Sequence, residues 1–230
     1  MPQAAYHIGM KNILIIGASG GIGAALYRHH KTRGDDVVGL SRSVDGLEIV
    51  NAQSVAHHLG QLGCSFDRVI VATGALSVNG TEPEKTIKAV DARVMADQFA
   101  VNAIGPALIL AHAHHLLPKD RGSVFAVLSA KVGSIGDNRL GGWISYRAAK
   151  AAVNQIVHTS AIELSRSHPK SSVVTLHPGT VQTPFTSKYV ARHACVPADQ
   201  AAARLVSVMD DLTPDKSGGF YDYSGALLPW

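Results

Sequence analysis

The run Lys11-Asn12-Ile13-Leu14-Ile15-Ile16-Gly17 passes without a break into Ala18-Ser19-Gly20-Gly21-Ile22-Gly23. Consecutive apolar, largely β-branched residues with no polar alternation leave neither face for water, so the run predicts a strand buried on both sides. An amphipathic stretch from about Ile22 to Arg33, stopped by Gly34, predicts a helix after the glycines. A doubly buried strand that turns through glycines into a helix is the opening unit of a covered parallel sheet.

The same alternation continues down the chain. Val37 to Leu40, Leu47 to Val50, Arg68 to Ala72, Ser123 to Leu128, Ser172 to His177 and a short piece near Phe220-Tyr221 read as further strands. Helices are predicted over 53–61, from Pro83 to about Leu117, over 144–167 and over 197–211. The reading is an α/β fold, a single Rossmann-like doubly wound parallel sheet of about seven strands with helices on both faces. No linker divides the chain, so one domain over 1–230 is expected.

Composition excludes several classes. Hydrophobic residues are 46% and charged residues 17%, which rules out intrinsic disorder. No apolar run reaches membrane-spanning length, and the N-terminus shows no basic and apolar signal regions. Two cysteines, Cys64 and Cys195, form neither a disulfide framework nor a C-x-x-C pair. A cytoplasmic chain is the default expectation. The net charge of +4 comes without any run of five basic residues, so nucleic acid is not an expected partner. His112 and His115 share a helix face, but nothing nearby completes a ligand set, so no metal is expected. The pairs His29-His30 and His57-His58 read as surface positions.

The glycine turn carries chemistry. Gly17 permits a tight exit from the sheet, Gly21 a close approach of backbone to a pyrophosphate, and Gly23 close packing of helix on strand. With Ser19, Gly20 and Ile22 they surround a helix N-terminus whose free N–H groups suit phosphates. No Gly-Lys-Ser/Thr follows, which excludes a P-loop. An acidic residue at the tip of the second strand would hold the ribose hydroxyls of NAD. This strand ends instead in Ser41-Arg42, which suits a 2′-phosphate, so NADP(H) is expected over NAD(H).

Tyr146 and Lys150 stand one helical turn apart and share a face. A phenol of ordinary pKa near ~10 is a poor acid–base catalyst at neutral pH. A neighbouring ammonium should lower that value, and Tyr146 could then protonate a carbonyl oxygen as hydride reaches carbon.

Taken together, Gly17/Gly21/Gly23, Asn102, Tyr146 with Lys150, and His177-Pro178-Gly179-Thr180-Val181-Gln182-Thr183 resemble the short-chain dehydrogenase/reductase family from Lys11 to Trp230. The segment 133–143 and the ending 217–222 are similar to its C-factor-like subgroup, related to sniffer and sepiapterin-type carbonyl reductases. The resemblance implies Tyr146 as acid/base and Lys150 as its helper and ribose contact. Asn102 would position a water in the proton relay. Pro178, Gly179, Val181 and Thr183 would lie about the nicotinamide, and Ala72, Thr73 and Gly74 on the adenosine side. Asn51 stands in for the family's acidic adenine contact.

Counting back from Gly133 puts Ala130 where the family's catalytic serine falls; Ser129 is the first replacement and Ser134 the second. Trp143, Phe185 and Tyr189 are candidate pocket walls. The implied activity is hydride transfer between NADP(H) and a small carbonyl or alcohol substrate, in a homodimer or homotetramer. The alternative is a cofactor-binding regulatory or signalling protein of the C-factor type with little turnover.

Overall fold

Branched apolar runs without a polar face are stable only in the middle of a covered sheet, and six of those predicted pair there. The computed structural model describes residues 9–183 and 195–230. The strands are β1 (Asn12–Ile16), β2 (Asp36–Leu40), β3 (Arg68–Val71), β4 (Ser123–Leu128), β5 (Ser171–His177), β6 (Val181–Gln182), β7 (Val196–Pro197) and β8 (Phe220–Asp222). The helices are α1 (Gly21–Thr32), α2 (Arg42–Asp45), α3 (Ala52–Gly60), α4 (Ala92–Phe99), α5 (Gly105–Leu110), α6 (Ala113–Leu116), α7 (Ile144–Leu164) and α8 (Ala198–Asp210).

The main sheet has the order β2-β1-β3-β4-β5-β8, with every pairing parallel. β6 and β7 form a separate two-stranded ladder. Alternate residues of β1 divide the core. Leu14 and Ile16 join one cluster with Val55, Ile109 and Val157, whereas Ile13 and Ile15 join another with Leu26 of α1 and Leu205 and Val206 of α8. Each such fully buried side chain stabilises the fold by about 1.5–3 kcal/mol. The chain is thus a single Rossmann-like α/β domain, with its topological switch point between β1 and β3. No helix among the described residues is long and apolar enough to cross a membrane.

Three expectations are corrected. The sheet has six strands, not about seven, because Leu47 to Val50 is not a strand. Gly46, at φ 76°, ends α2, and Asn51 caps α3 with its side-chain oxygen on the amides of Gln53 and Ser54. Leu47 and Ile49 between them are apolar because they plug the core. The long helix does not start at Pro83. Asp91 begins it by accepting from the amides of Arg93 and Val94, and it widens into a π-turn over Ala100–Ile104. Pro106 follows that turn and has no N–H to give to the Asn102 carbonyl four residues back. Finally, His30 is not a surface residue: it is fully buried, with Nδ1 2.6 Å from Asp35 Oδ2.

Candidate active site

Four strands of a doubly wound sheet end on the same side as its switch point, and their following loops enclose a crevice. Here that crevice is a cavity of about 390 Å³. The turn after β1 contributes Ser19, Gly20, Gly21 and Ile22, and the loop after β3 contributes Ala72, Thr73 and Gly74. The end of β4 brings Leu128, Ser129 and Ala130; the end of β5 brings His177, Pro178 and Gly179, with Val181 and Thr183 beyond. Tyr146 and Lys150 reach it from α7.

The glycine turn is fixed sterically. Gly17 adopts φ 88°, and its amide donates to the Leu40 carbonyl at 2.7 Å. A Cβ on Gly21 would lie 2.5 Å from Thr183 Cγ2, and one on Gly23 would land on the Gly17 carbonyl oxygen. Gly17 and Gly23 shape the turn without lining the cavity. The N-terminus of α1 has no side-chain cap and no acidic residue in its first turn, so its positive dipole end faces the cavity uncompensated.

Tyr146 and Lys150 are both buried, with Lys150 Nζ 5.9 Å from the Tyr146 ring centroid. Nζ donates to the Leu128 carbonyl at 3.2 Å. The expected acidification of the phenol is not what this arrangement produces. Burial pushes the Tyr146 phenol above its ordinary value, and burial also pulls the Lys150 ammonium down to about 8. Both groups are dry, and desolvation favours the neutral form of each.

Of the serine candidates, Ser129 lines the cavity, and its buried Oγ has no hydrogen-bond partner among the described residues. Ser134 accepts from the Asp137 amide at 3.1 Å and lies outside the cavity lining. Thr73 Oγ1 and His177 Nδ1, on two further lining residues, are likewise buried and have no hydrogen-bond partner among the described residues. Asn102 does not line the cavity. Its Nδ2 donates to the Ala75 carbonyl and to Gln98 Oε1, both at 2.8 Å, while its Oδ1 accepts from the Ala75 amide at 3.0 Å. The amide therefore braces the loop that carries Thr73 and Gly74.

Ser41 and Arg42 also lie outside the lining. The Ser41 hydroxyl caps α2, accepting from the Val44 amide and donating to Asp45. Arg42 is exposed and has no ion-pair partner among the described residues. Ser43, beside it, donates to Ser19 Oγ at 2.9 Å and ties α2 to the glycine turn. Asn51 is taken up in capping α3 and is not among the residues lining this cavity. The Trp143 ring meets Tyr146 edge-on, with centroids 6.2 Å apart, and Trp143 is not among the residues lining this crevice. Phe185 and Tyr189 lie outside the described residues.

Sequence reasoning placed no role on Leu128 or on the side chain of His177. His177 could have been found by parity: it is the last residue of β5, where the strand opens into the crevice.

The family model for the short chain dehydrogenases matches residues 65–194. The chain belongs to the short-chain dehydrogenase family. The chain is 30% identical to the 1-hydroxy-2-glutathionyl-2-methyl-3-butene dehydrogenase of Rhodococcus sp. (strain AD45), over 96% of this chain and 100% of that one. It is 35% identical to the C-signal protein of Myxococcus xanthus, over 61% of this chain and 81% of the relative. Its fold superposes on a short-chain dehydrogenase/reductase from Burkholderia multivorans solved with bound NADP, with a TM-score of 0.80 and 25% identity over 96% and 100% of the two chains.

Proposed function

We propose that this short-chain dehydrogenase transfers hydride between NADP(H) and a small carbonyl or alcohol substrate, with Tyr146 as general acid and base. The observation that carries the reading is convergence. Tyr146, Lys150 and Ser129, whose buried hydroxyl has no hydrogen-bond partner among the described residues, line the same cavity as the uncapped N-terminus of α1.

The residues fit a pyridine dinucleotide. The cradle at Gly21 has no room for a Cβ, and Thr73 Oγ1 is a buried polar atom that still needs a partner. Backbone at Gly20, Gly21 and Ile22 would hold the pyrophosphate. Ala72, Thr73 and Gly74 would flank the adenosine, and Pro178, Gly179, Val181 and Thr183 the nicotinamide. When bound, the nicotinamide supplies or accepts the hydride. Tyr146 gives its proton to the carbonyl oxygen, and the Lys150 charge stabilises the phenolate left behind. Ser129 donates to the same substrate oxygen and orients it. The Asn102 side chain is spent on Ala75 and Gln98, so a relay water held by Asn102 falls to its main-chain carbonyl.

A second reading, a cofactor-binding signalling protein with little turnover, is favoured by Ala130 at the family's serine position and by the likeness to C-signal. NADPH oxidation over a panel of aldehydes, ketones and quinones separates the two. Turnover of several compounds is expected; NADPH binding with no turnover on any would establish the rival.

The 2′-phosphate assignment has its own check. Arg42→Asp should weaken NADPH binding by about 10- to 100-fold, the value of one charge-assisted contact, and leave NADH nearly unchanged. Equal losses for both would remove Arg42 from cofactor selection.

A further inference from the structure

The helix that carries Tyr146 and Lys150 lacks an ordinary cap. Its N-cap position is Trp143, in the left-handed region at φ 52°, with no side-chain cap hydrogen bond. Good caps bring a short side-chain oxygen to that point, and an indole has no acceptor. Gly141 and Gly142 before it also have positive φ, 63° and 66°.

The missing acceptors come from far upstream. Glu84, on the connection between β3 and α4, is 7% exposed. Its Oε2 accepts from the Ser145 amide at 3.2 Å, and Oε1 accepts from the Ser145 hydroxyl, across 61 residues of sequence. Its main-chain carbonyl accepts from the Trp143 amide at 2.5 Å. A carboxylate at a helix N-terminus is also drawn to the positive end of the helix dipole. The next residue after Ser145 is Tyr146.

The same connection also supplies a wall of the cavity, close to Lys150: a Cβ on Gly74 would lie 3.2 Å from Lys150 Nζ. Thr73 and Gly74 line it, Asn102 clasps Ala75, and Gln98 donates to the Leu76 carbonyl at 2.7 Å. One stretch of chain thus builds a wall of the cavity that holds Tyr146 and, at Glu84, grips the first turn of Tyr146's helix.

We infer that Glu84 is a positioning residue for Tyr146, setting the first turn of α7 against the cavity wall formed by Thr73 and Gly74. The inference rests on the proposed role of Tyr146. It concerns proton delivery, not cofactor affinity, because Glu84 does not line the cavity.

The test compares Glu84→Ala, Glu84→Gln and Ser145→Ala with Tyr146→Phe, using NADPH and whichever carbonyl compound the panel shows to be turned over fastest. Misplacement of the proton donor by an ångström should lower kcat for Glu84→Ala by about 10- to 100-fold, with NADPH affinity retained. Glu84→Gln keeps a side-chain oxygen for the Ser145 amide and should recover most of the loss. Ser145→Ala, which removes one of the two side-chain contacts, should fall between them. Unchanged kcat in Glu84→Ala with only a lower melting temperature would reduce Glu84 to a structural cap and overturn the proposal. If Glu84→Ala does not fold, full activity in both Glu84→Gln and Ser145→Ala would overturn it equally. A silent Tyr146→Phe brings down the function reading and this inference together; a damaging Tyr146→Phe beside silent Glu84 variants refutes the inference alone.

Discussion

Tyr146→Phe is expected to lower kcat for NADPH-dependent carbonyl reduction by about 10²- to 10⁴-fold, the usual worth of a placed general acid, while NADPH still binds. The argument starts from burial. The phenol is dry and its ionisation is disfavoured, so at neutral pH it holds its proton and is ready to donate. Once the proton leaves, the phenolate needs a cation, and Lys150 is the one on the same helix face. Burial brings Lys150 down to about 8, so it is mostly charged at pH 7 and discharges as pH rises through that value. Wild-type kcat/KM for reduction should therefore fall above about pH 8, and the residual rate of Tyr146→Phe should lose that limb. Stopped-flow or steady-state NADPH absorbance across pH 6–10 would read both effects. A Tyr146→Phe enzyme within a few-fold of wild type would remove Tyr146 from the chemistry.

How much of this was legible follows from the range of the interactions concerned. The sheet was legible because β1, β3 and β4 are mainly apolar runs and β5 carries the adjacent pair Val173-Val174, one on each face, so each reports burial on both sides. The glycine turn was legible because its constraint is local: Gly17 needs positive φ, and Gly23 must have no Cβ. Leu47 to Val50 misled because apolar residues that plug a core look like those that pair in a ladder. Pro83 misled because it is a good first-turn residue, yet Asp91 supplies the cap that starts the helix. Glu84 could not be seen at all, since its partner is 61 residues away and an isolated glutamate in a loop carries no pattern. The lowering expected for Tyr146 assumed that charge would outweigh desolvation; in a site this dry it does not.

His30 sets up the second large effect, an acid-driven loss of stability between about pH 6.5 and pH 4. The residue lies at the end of the sheet remote from the cavity, in a charged cluster. Asp210 there pairs with Lys11 at 3.1 Å and with Arg33 and the buried Arg68 at 2.8 Å. Burial drives the imidazole down from 6.5 to about 4; the Asp35 hydrogen bond pulls the other way, and the Arg68 charge adds to the fall. The folded state therefore binds this proton less readily than the unfolded chain. Above pH 6.5 neither state carries it and the full stability is present. As pH falls, the unfolded chain takes it up first, and stability is lost until the folded value near 4 is reached. That loss amounts to about 3 kcal/mol for His30. His177, also held at about 4 by burial, adds to the slope in the same window. Urea unfolding from pH 7.5 to 4 should show a steep decline in wild type and a clearly shallower one in His30→Gln, whatever the variant's stability at neutral pH. Parallel slopes in the two proteins would mean that the buried imidazole finds its proton in the folded state after all, through an opening of the α1–β2 corner that the packing around Asp35 does not reveal.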